Sequence, residues 1–116
     1  MSEHNPDVWV VVEFSGTKVK GKDSRYHRVL AGWYGGFAGS NSWQMNSGIT
    51  KIIDKGDYYE IHGDSGSIYN CGKSIERFSG LTQSIYQGYV AQNTDEIAIN
   101  QVDISTILNL YNDTTT

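Results

Sequence analysis

The chain has 116 residues and a formal net charge of −4, with 38% apolar residues and a mean hydropathy of −0.45. This length suits one domain with one core, and the composition excludes a disordered chain. The longest apolar run, Val8–Val12, is far too short to cross a bilayer, and the first residues lack a signal-peptide pattern, so we expect a cytoplasmic protein with no membrane association. Cys71 is the only cysteine, which excludes an intrachain disulfide.

Strands are predicted for the first half of the chain. Residues 1–6 are expected to be a flexible leader that ends at the only proline. The segment Val8–Phe14 is β-branched and aromatic and is largely apolar on both faces, which predicts a central strand. Arg25–Ala31 predicts its hairpin partner, and the lysine-rich segment between them would form the hairpin tip. A third strand is expected over Gln44–Ile53, with an irregularity at Ser47–Gly48 because an isolated glycine in a strand often marks a bulge.

The second half adds turns and helices. Asp54–Asp57 and Gly63–Gly66 are hairpin turn signals, so strands three to five would form a meander. A helical stripe begins near Ser79, with Ser79 or Thr82 as its predicted cap. A short strand is indicated around Ile97–Ile99, and Asp103 can cap a last helix. The predicted fold class is α+β, a single curved antiparallel sheet of about five strands (a hairpin plus a meander) with one or two C-terminal helices packed on one face. We expect one domain over residues 7–111 and a flexible tail over 112–116.

Two catalytic motifs are matched only in part. Gly63–Gly66 repeats the Gly-Asp-Ser-Gly of chymotrypsin-like serine proteases over four residues, in a chain too short for that two-barrel fold, and it reads as a turn. Ser67–Ser74 falls one residue short of a phosphate-binding loop because Ser67 replaces the first glycine. His4, His27 and His62 lack metal-ligand spacing. We therefore predict no catalytic, cofactor or metal site, and a protein that is not an enzyme.

Aromatic side chains are the most unusual feature of the chain, with eight tyrosines and three tryptophans. The stretch Gly32–Gly48 holds two of the tryptophans and five of the thirteen glycines. Neighbouring residues of a strand point to opposite faces, so some of these side chains should point away from the core, and such residues are enriched at recognition surfaces. That they decorate a solvent face without function remains an alternative. The predicted partner-binding residues are Trp33, Tyr34, Phe37, Trp43, Tyr58 and Tyr59.

These features favour a non-catalytic protein that binds another macromolecule, most simply a protein, and acts by occluding its surface. In gross features the chain resembles phage-encoded inhibitors of bacterial defence systems, the anti-CRISPR type: it is short, acidic and single-domain, with aromatic surface residues and no catalytic motif. The resemblance implies a viral protein that acts in the cytoplasm of a bacterial host by blocking a defence complex.

Two other functions stay open. A nucleic-acid-binding module is the first alternative, because five of the nine basic residues lie within eleven positions and could contact phosphate. A small-ligand-binding domain with the Gly32–Gly48 loop as a lid is the second. A homodimer is compatible with all three functions. The basic residues of the first alternative are Lys18, Lys20, Lys22, Arg25 and Arg28.

Overall fold

The structure, a computed structural model, describes residues 3–16, 24–35, 39–94 and 97–112. These residues form two four-stranded sheets, two α-helices and two short 3-10 helices, at Lys73–Ile75 and Ile104–Thr106. The strands are β1 (Glu3–His4), β2 (Val8–Gly16), β3 (Ser24–Trp33), β4 (Ser42–Met45), β5 (Ile49–Asp54), β6 (Tyr58–Gly63), β7 (Ile68–Gly72) and β8 (Ala98–Val102), and the helices are α1 (Gly80–Val90) and α2 (Leu108–Tyr111).

The hairpin sheet has the strand order β4-β3-β2-β8 and is antiparallel throughout. Its centre is the predicted hairpin, in which β2 pairs with β3 from Val8 opposite Gly32 to Gly16 opposite Ser24. The hairpin and the central position of β2 are thus confirmed. The predicted tip of the hairpin lies outside the described residues.

The meander sheet has the strand order β1-β7-β6-β5. The predicted meander is confirmed, since β5, β6 and β7 pair antiparallel in succession. Strand β1 pairs parallel to β7, with Glu3 opposite Ile68 and His4 opposite Tyr69. Glu3 and His4 therefore form a strand within the stretch 1–6 that we predicted to be a flexible leader. Residues 1–2 and 113–116 lie outside the described part of the chain.

The prediction of a single sheet of about five strands is wrong, because the expected strand Gln44–Ile53 is two strands in two sheets. The chain changes sheet at Asn46, whose backbone N–H donates to the Val29 carbonyl oxygen (3.0 Å) and whose side-chain Oδ1 accepts the Val29 N–H (2.8 Å). Asn46 thus ends the pairing of β4 with β3. Gly48 follows with φ +145°, a conformation that favours glycine, and β5 begins at Ile49.

Two hydrophobic clusters explain why the chain needs two sheets. On one face of β2, Trp9 and Val11 pack between the sheets with Ile52, Ile61 and other buried residues of the meander sheet. On its other face, Val10, Val12 and Phe14 pack against helix α1. Because both faces of β2 are apolar, each must be covered.

The two helices do not share a face, which corrects the expectation that they would. Helix α1 covers the outer face of the hairpin sheet through Ile85, Tyr86 and Tyr89. Helix α2 instead packs Leu108 and Tyr111 against the cluster between the sheets. The predicted cap at Ser79 is confirmed as a capping box with Thr82, whereas Asp103 makes no side-chain capping bond. The fold is mostly β and belongs broadly to the α+β class.

Candidate partner-binding surface

An open cleft of about 530 Å³ lies between the edge strands of the two sheets. Strand β1 contributes one wall and strand β4 the other, and Trp33 at the end of β3 lies with them. The residues that line the cleft are Glu3, His4, Asn5, Trp33, Ser42, Trp43 and Gln44.

The β1 wall is held by contacts to both sheets. The indole Nε1 of Trp33 donates to the Asn5 carbonyl oxygen at 2.9 Å. The imidazole of His4 stacks on Tyr69, with ring centroids 4.6 Å apart, and meets Trp33 edge-on at 6.3 Å. Asn70 Nδ2 donates to Glu3 Oε1 at 3.0 Å and to Asn5 Oδ1 at 3.1 Å. These bonds fix the position of the Glu3 carboxylate beside the cleft.

Strand β4 presents different residues on its two faces. Trp43 lies opposite Gly32, and a Cβ at Gly32 would meet Thr82 of helix α1 at 2.7 Å. Directly paired residues point to the same face, so the Trp43 side chain leaves the sheet on the helix side, although Trp43 also borders the cleft. Ser42 and Gln44 alternate with it and point to the cleft side, as Trp33 does.

Two aromatic side chains are strongly exposed near β4. Trp43 is 39% exposed, and Tyr34, which directly follows β3, is 48% exposed. Tyr34 follows the end of β3, and extending the alternation of β3 by one residue puts it on the same side as Gly32 and Trp43. The backbone N–H of Tyr34 donates to Asp7 Oδ2 at 2.8 Å, which holds this residue at the end of the sheet.

The backbone of β4 also has an unpaired side. Antiparallel hydrogen bonds alternate along a strand, and the bond from the Asn46 N–H to the Val29 oxygen sets the phase of this ladder. Gln44 and Ser42 therefore bond towards β3. The N–H and C=O groups of Trp43 and Met45 point to the outer edge, where the described strands place no partner.

The cleft is acidic. Glu3 is the carboxylate in its lining, and none of the lining residues is a lysine or an arginine. The exposed Asp7 is not among the lining residues; its carboxylate accepts the Tyr34 N–H at the end of β3. The cleft thus combines negative charge with the aromatic rings of Trp33 and His4.

The remaining predicted partner-binding residues do not join this cleft. Tyr58 and Tyr59 lie on β6, in the interior of the meander sheet order. The Tyr59 ring packs edge-on against Trp9 at 6.4 Å, and Lys73 Nζ lies 4.8 Å from its centroid. Phe37 lies outside the described residues. Of the six predicted residues, the structure therefore brings Trp33, Tyr34 and Trp43 close to β4.

The predicted basic residues lie elsewhere or outside the described chain. Lys18, Lys20 and Lys22 lie outside the described residues. Arg25 is exposed on β3, whereas the Arg28 Nε donates to the Asn46 carbonyl oxygen at 2.6 Å and its guanidinium lies 5.7 Å from the Phe14 ring centre. Arg28 thus supports the corner between β4 and β5.

Sequence reasoning missed the polar residues of the cleft, namely Glu3, Asn5, Ser42 and Gln44, and the ring of His4. Glu3 and His4 lie in a two-residue strand, too short to show a periodic pattern. Ser42 and Gln44 show the alternation of a strand, but placing them beside Trp33 requires the β3–β4 register. No sequence signal links them to β1.

The groups that could suggest catalysis are buried in packing and hydrogen-bond contacts. His27 is fully buried, and its Nε2 lies 3.0 Å from Glu13 Oε1 and its Nδ1 lies 2.7 Å from the Tyr111 hydroxyl. This cluster ties α2 to the hairpin sheet, and burial, with the nearby Glu13, raises the pKa of the Tyr111 hydroxyl. Burial likewise raises the pKa of the Cys71 thiol, which keeps it protonated and unreactive.

The partial serine-protease motif is a turn of the fold. Gly63–Gly66 forms the turn between β6 and β7, where Ser65 Oγ lies 3.1 Å from Ser67 Oγ.

Within the described residues, no group of three or more histidine, cysteine or carboxylate side chains could hold a metal ion. The described helices are all too short or too polar to cross a membrane.

Comparisons with known proteins add no relatives. No protein-family model matches the chain, and neither a curated protein nor a solved structure matches it.

Proposed function

We propose that the protein is a non-catalytic binding protein that recognises a protein partner through strand β4. We call the recognition site the β4 surface: the outer edge of β4, the exposed Trp43 and Tyr34 on its helix side, and the cleft with Trp33 on its other side. The observation that carries the proposal is the coincidence of an open strand edge with a strongly exposed tryptophan.

The composition of β4 supports this proposal. Natural proteins protect exposed strand edges with charged residues or proline, because an open edge pairs readily with another chain. Strand β4 reads Ser-Trp-Gln-Met and carries neither. Tryptophan is also enriched among residues that contribute most to binding free energy. An unprotected edge beside an exposed tryptophan suits a surface that a partner covers.

Occlusion is the mode of action that we propose. The β4 surface would cover the segment of the partner that binds to it. This mode of action requires no catalytic reaction. The gross features of the sequence favour a phage-encoded inhibitor of a bacterial defence complex as the biological form of this activity.

The test is affinity capture with matched variants. Tagged protein is incubated with lysate of the source cells, and the stoichiometry of retained proteins is measured. We expect the wild type to retain a stoichiometric partner, the double variant Tyr34→Ala and Trp43→Ala to lose it, and Leu110→Ala to keep it. Leu110 is a suitable control because it is 56% exposed but lies on α2, which packs against the cluster between the sheets and contributes nothing to the β4 surface.

Two outcomes would contradict the proposal: the wild type retains no stoichiometric partner, or the double variant retains the same partner as fully as the wild type. Circular dichroism of each variant checks that the fold is intact.

The two other functions remain predictions. The nucleic-acid alternative depends mainly on lysines outside the described residues, while Arg28 is engaged with Asn46. For the lid alternative, residues 36–38 are likewise outside the described chain, although their flanks meet: the Gly39 N–H donates to the Gly35 oxygen at 3.1 Å. No contact of the described residues favours either function over protein binding.

A further inference from the structure

We infer that the partner of the β4 surface is an extended, basic segment that adds to the hairpin sheet as a strand beside β4 and places a lysine or arginine side chain in the cleft. This inference rests on the proposed function and names the partner's chemistry. It follows from the backbone of β4, from the two faces of that strand and from the charge of the cleft.

The backbone of β4 is prepared for strand addition. The N–H and C=O groups of Trp43 and Met45 point outward, in the alternating pattern that an added strand requires. Main-chain hydrogen bonds give such complexes their affinity, and alternate side chains give them specificity. An extended segment is therefore the partner conformation that satisfies this edge.

The two faces of β4 then determine which kinds of side chain the added strand should carry on each of its own faces. Side chains of one parity would lie on the helix side, beside Trp43 and Tyr34, where an apolar residue buries aromatic surface. Side chains of the other parity would lie on the cleft side, beside Gln44 and Trp33. The partner segment should thus alternate apolar and cleft-directed residues.

The negative charge of the cleft favours a basic residue among the partner side chains that point to the cleft side. The Glu3 carboxylate is held in place by Asn70, and the lining contains no lysine or arginine to neutralise it. The indole of Trp33, which also lines the cleft, favours a cation over its face. A second copy of this chain would fit less well, because its own β4 strand carries no basic residue.

The first experiment measures the binding of synthetic peptides by fluorescence anisotropy at low salt. The probes are a short acetylated peptide that alternates lysine with valine and its counterpart with glutamate in place of lysine. We expect the lysine peptide to bind at least about tenfold more tightly than the glutamate peptide, and added salt to weaken it. Equal affinity for the two peptides would overturn the inference.

Backbone methylation of the lysine peptide tests strand addition itself. Only alternate amides of an added strand face β4, so methylating one alternate set of amide nitrogens should abolish binding while methylating the other set preserves it. Equal loss, or no loss, with both sets would show that the peptide does not bind as a strand.

A protein variant tests the role of Glu3. Glu3→Gln keeps an oxygen for the Asn70 amide and removes the charge, and we expect it to weaken binding of the lysine peptide about three- to fivefold. Asp57→Asn removes one exposed charge on the β5–β6 turn and should leave the affinity unchanged. Equal effects of the two variants would contradict recognition by Glu3.

Failure of this inference is distinguishable from failure of the proposed function. If the cellular partner is lost from the Tyr34→Ala and Trp43→Ala variant while the lysine peptide fails to bind the wild type, the β4 surface binds proteins but not by recognising a basic strand. If the double variant retains the partner as fully as the wild type and the lysine peptide also fails to bind the wild type, both proposals fall.

Discussion

The partly buried Glu76 side chain affects the stability of the folded protein in two opposing ways. Its Oε2 accepts the Ile104 N–H at 2.8 Å, and so joins the start of the last helical segment to the body of the protein. Burial raises the pKa of the Glu76 carboxyl, with Asp103 adding to the shift and the bond to Ile104 opposing it. Because the folded-state pKa lies above the unfolded one, the folded state binds more protons, and the ionised carboxylate reduces stability at neutral pH.

Glu76→Gln is therefore expected to stabilise the protein at pH 7, since glutamine keeps an acceptor for Ile104 and removes the charge. The gain should be about 0.5 kcal/mol or less because the carboxyl is only partly buried, and it should vanish as the pH falls below the ordinary glutamate pKa of about 4.3. Urea denaturation at both pH values measures it. The exposed Asp64, changed to Asn, provides the control and should show little change. A Glu76→Gln protein less stable than wild type at pH 7 would contradict this reasoning.

At the scale of elements, the packing of α1 on the hairpin sheet depends on the absence of a side chain at Gly32. A Cβ there would lie 2.7 Å from Thr82 Cγ2 and 3.2 Å from both Ser79 Oγ and Val8 Cγ2. Ser79 and Thr82 form the capping box of α1, so they cannot move without disturbing the start of the helix. Gly32 therefore sets how closely α1 approaches β3 and β4.

Two glycine-to-alanine variants test this packing. Gly32→Ala should destabilise the protein by about 1–3 kcal/mol through overpacking. Gly88→Ala, within α1 and facing open space, should instead stabilise it by about 0.5–1 kcal/mol because alanine favours the helix. Thermal unfolding of both variants measures the difference. A Gly32→Ala protein as stable as Gly88→Ala would show that α1 does not pack closely at this point.

The same scale shows which elements the sequence could predict. Strand β2 and the capping box at Ser79 were predictable because each depends on residues close together in the chain. The change of sheet at Asn46 was not, because a bulge and a corner share the local signature of a small polar residue beside glycine. What distinguishes them is the bond from the Val29 N–H to Asn46 Oδ1, across a separation of 17 residues.

In the whole molecule, the β4 surface combines the end of β3 and strand β4, which are close in the chain, with the distant strand β1. Trp33, Tyr34 and Trp43 were predicted as partner-binding residues from their aromatic character, but the cleft beside them needs β1 as well. Strand β1 is placed by contacts such as Asn70 to Glu3, which joins residues 67 positions apart. A strand of two residues is too short to show a periodic pattern in the sequence. The position of Glu3 and the acidity of the cleft could therefore not be predicted.

Binding of a protein segment along the edge of β4 should be visible in the amide hydrogen exchange of individual residues. In the free protein, the outward N–H groups of Trp43 and Met45 should exchange faster than the inward N–H of Gln44. Saturation with the lysine peptide, or with the captured partner, should slow exchange at Trp43 and Met45 by at least about tenfold and change Gln44 much less. A ligand that binds at saturation yet leaves exchange at Trp43 and Met45 unchanged would contradict binding along this edge.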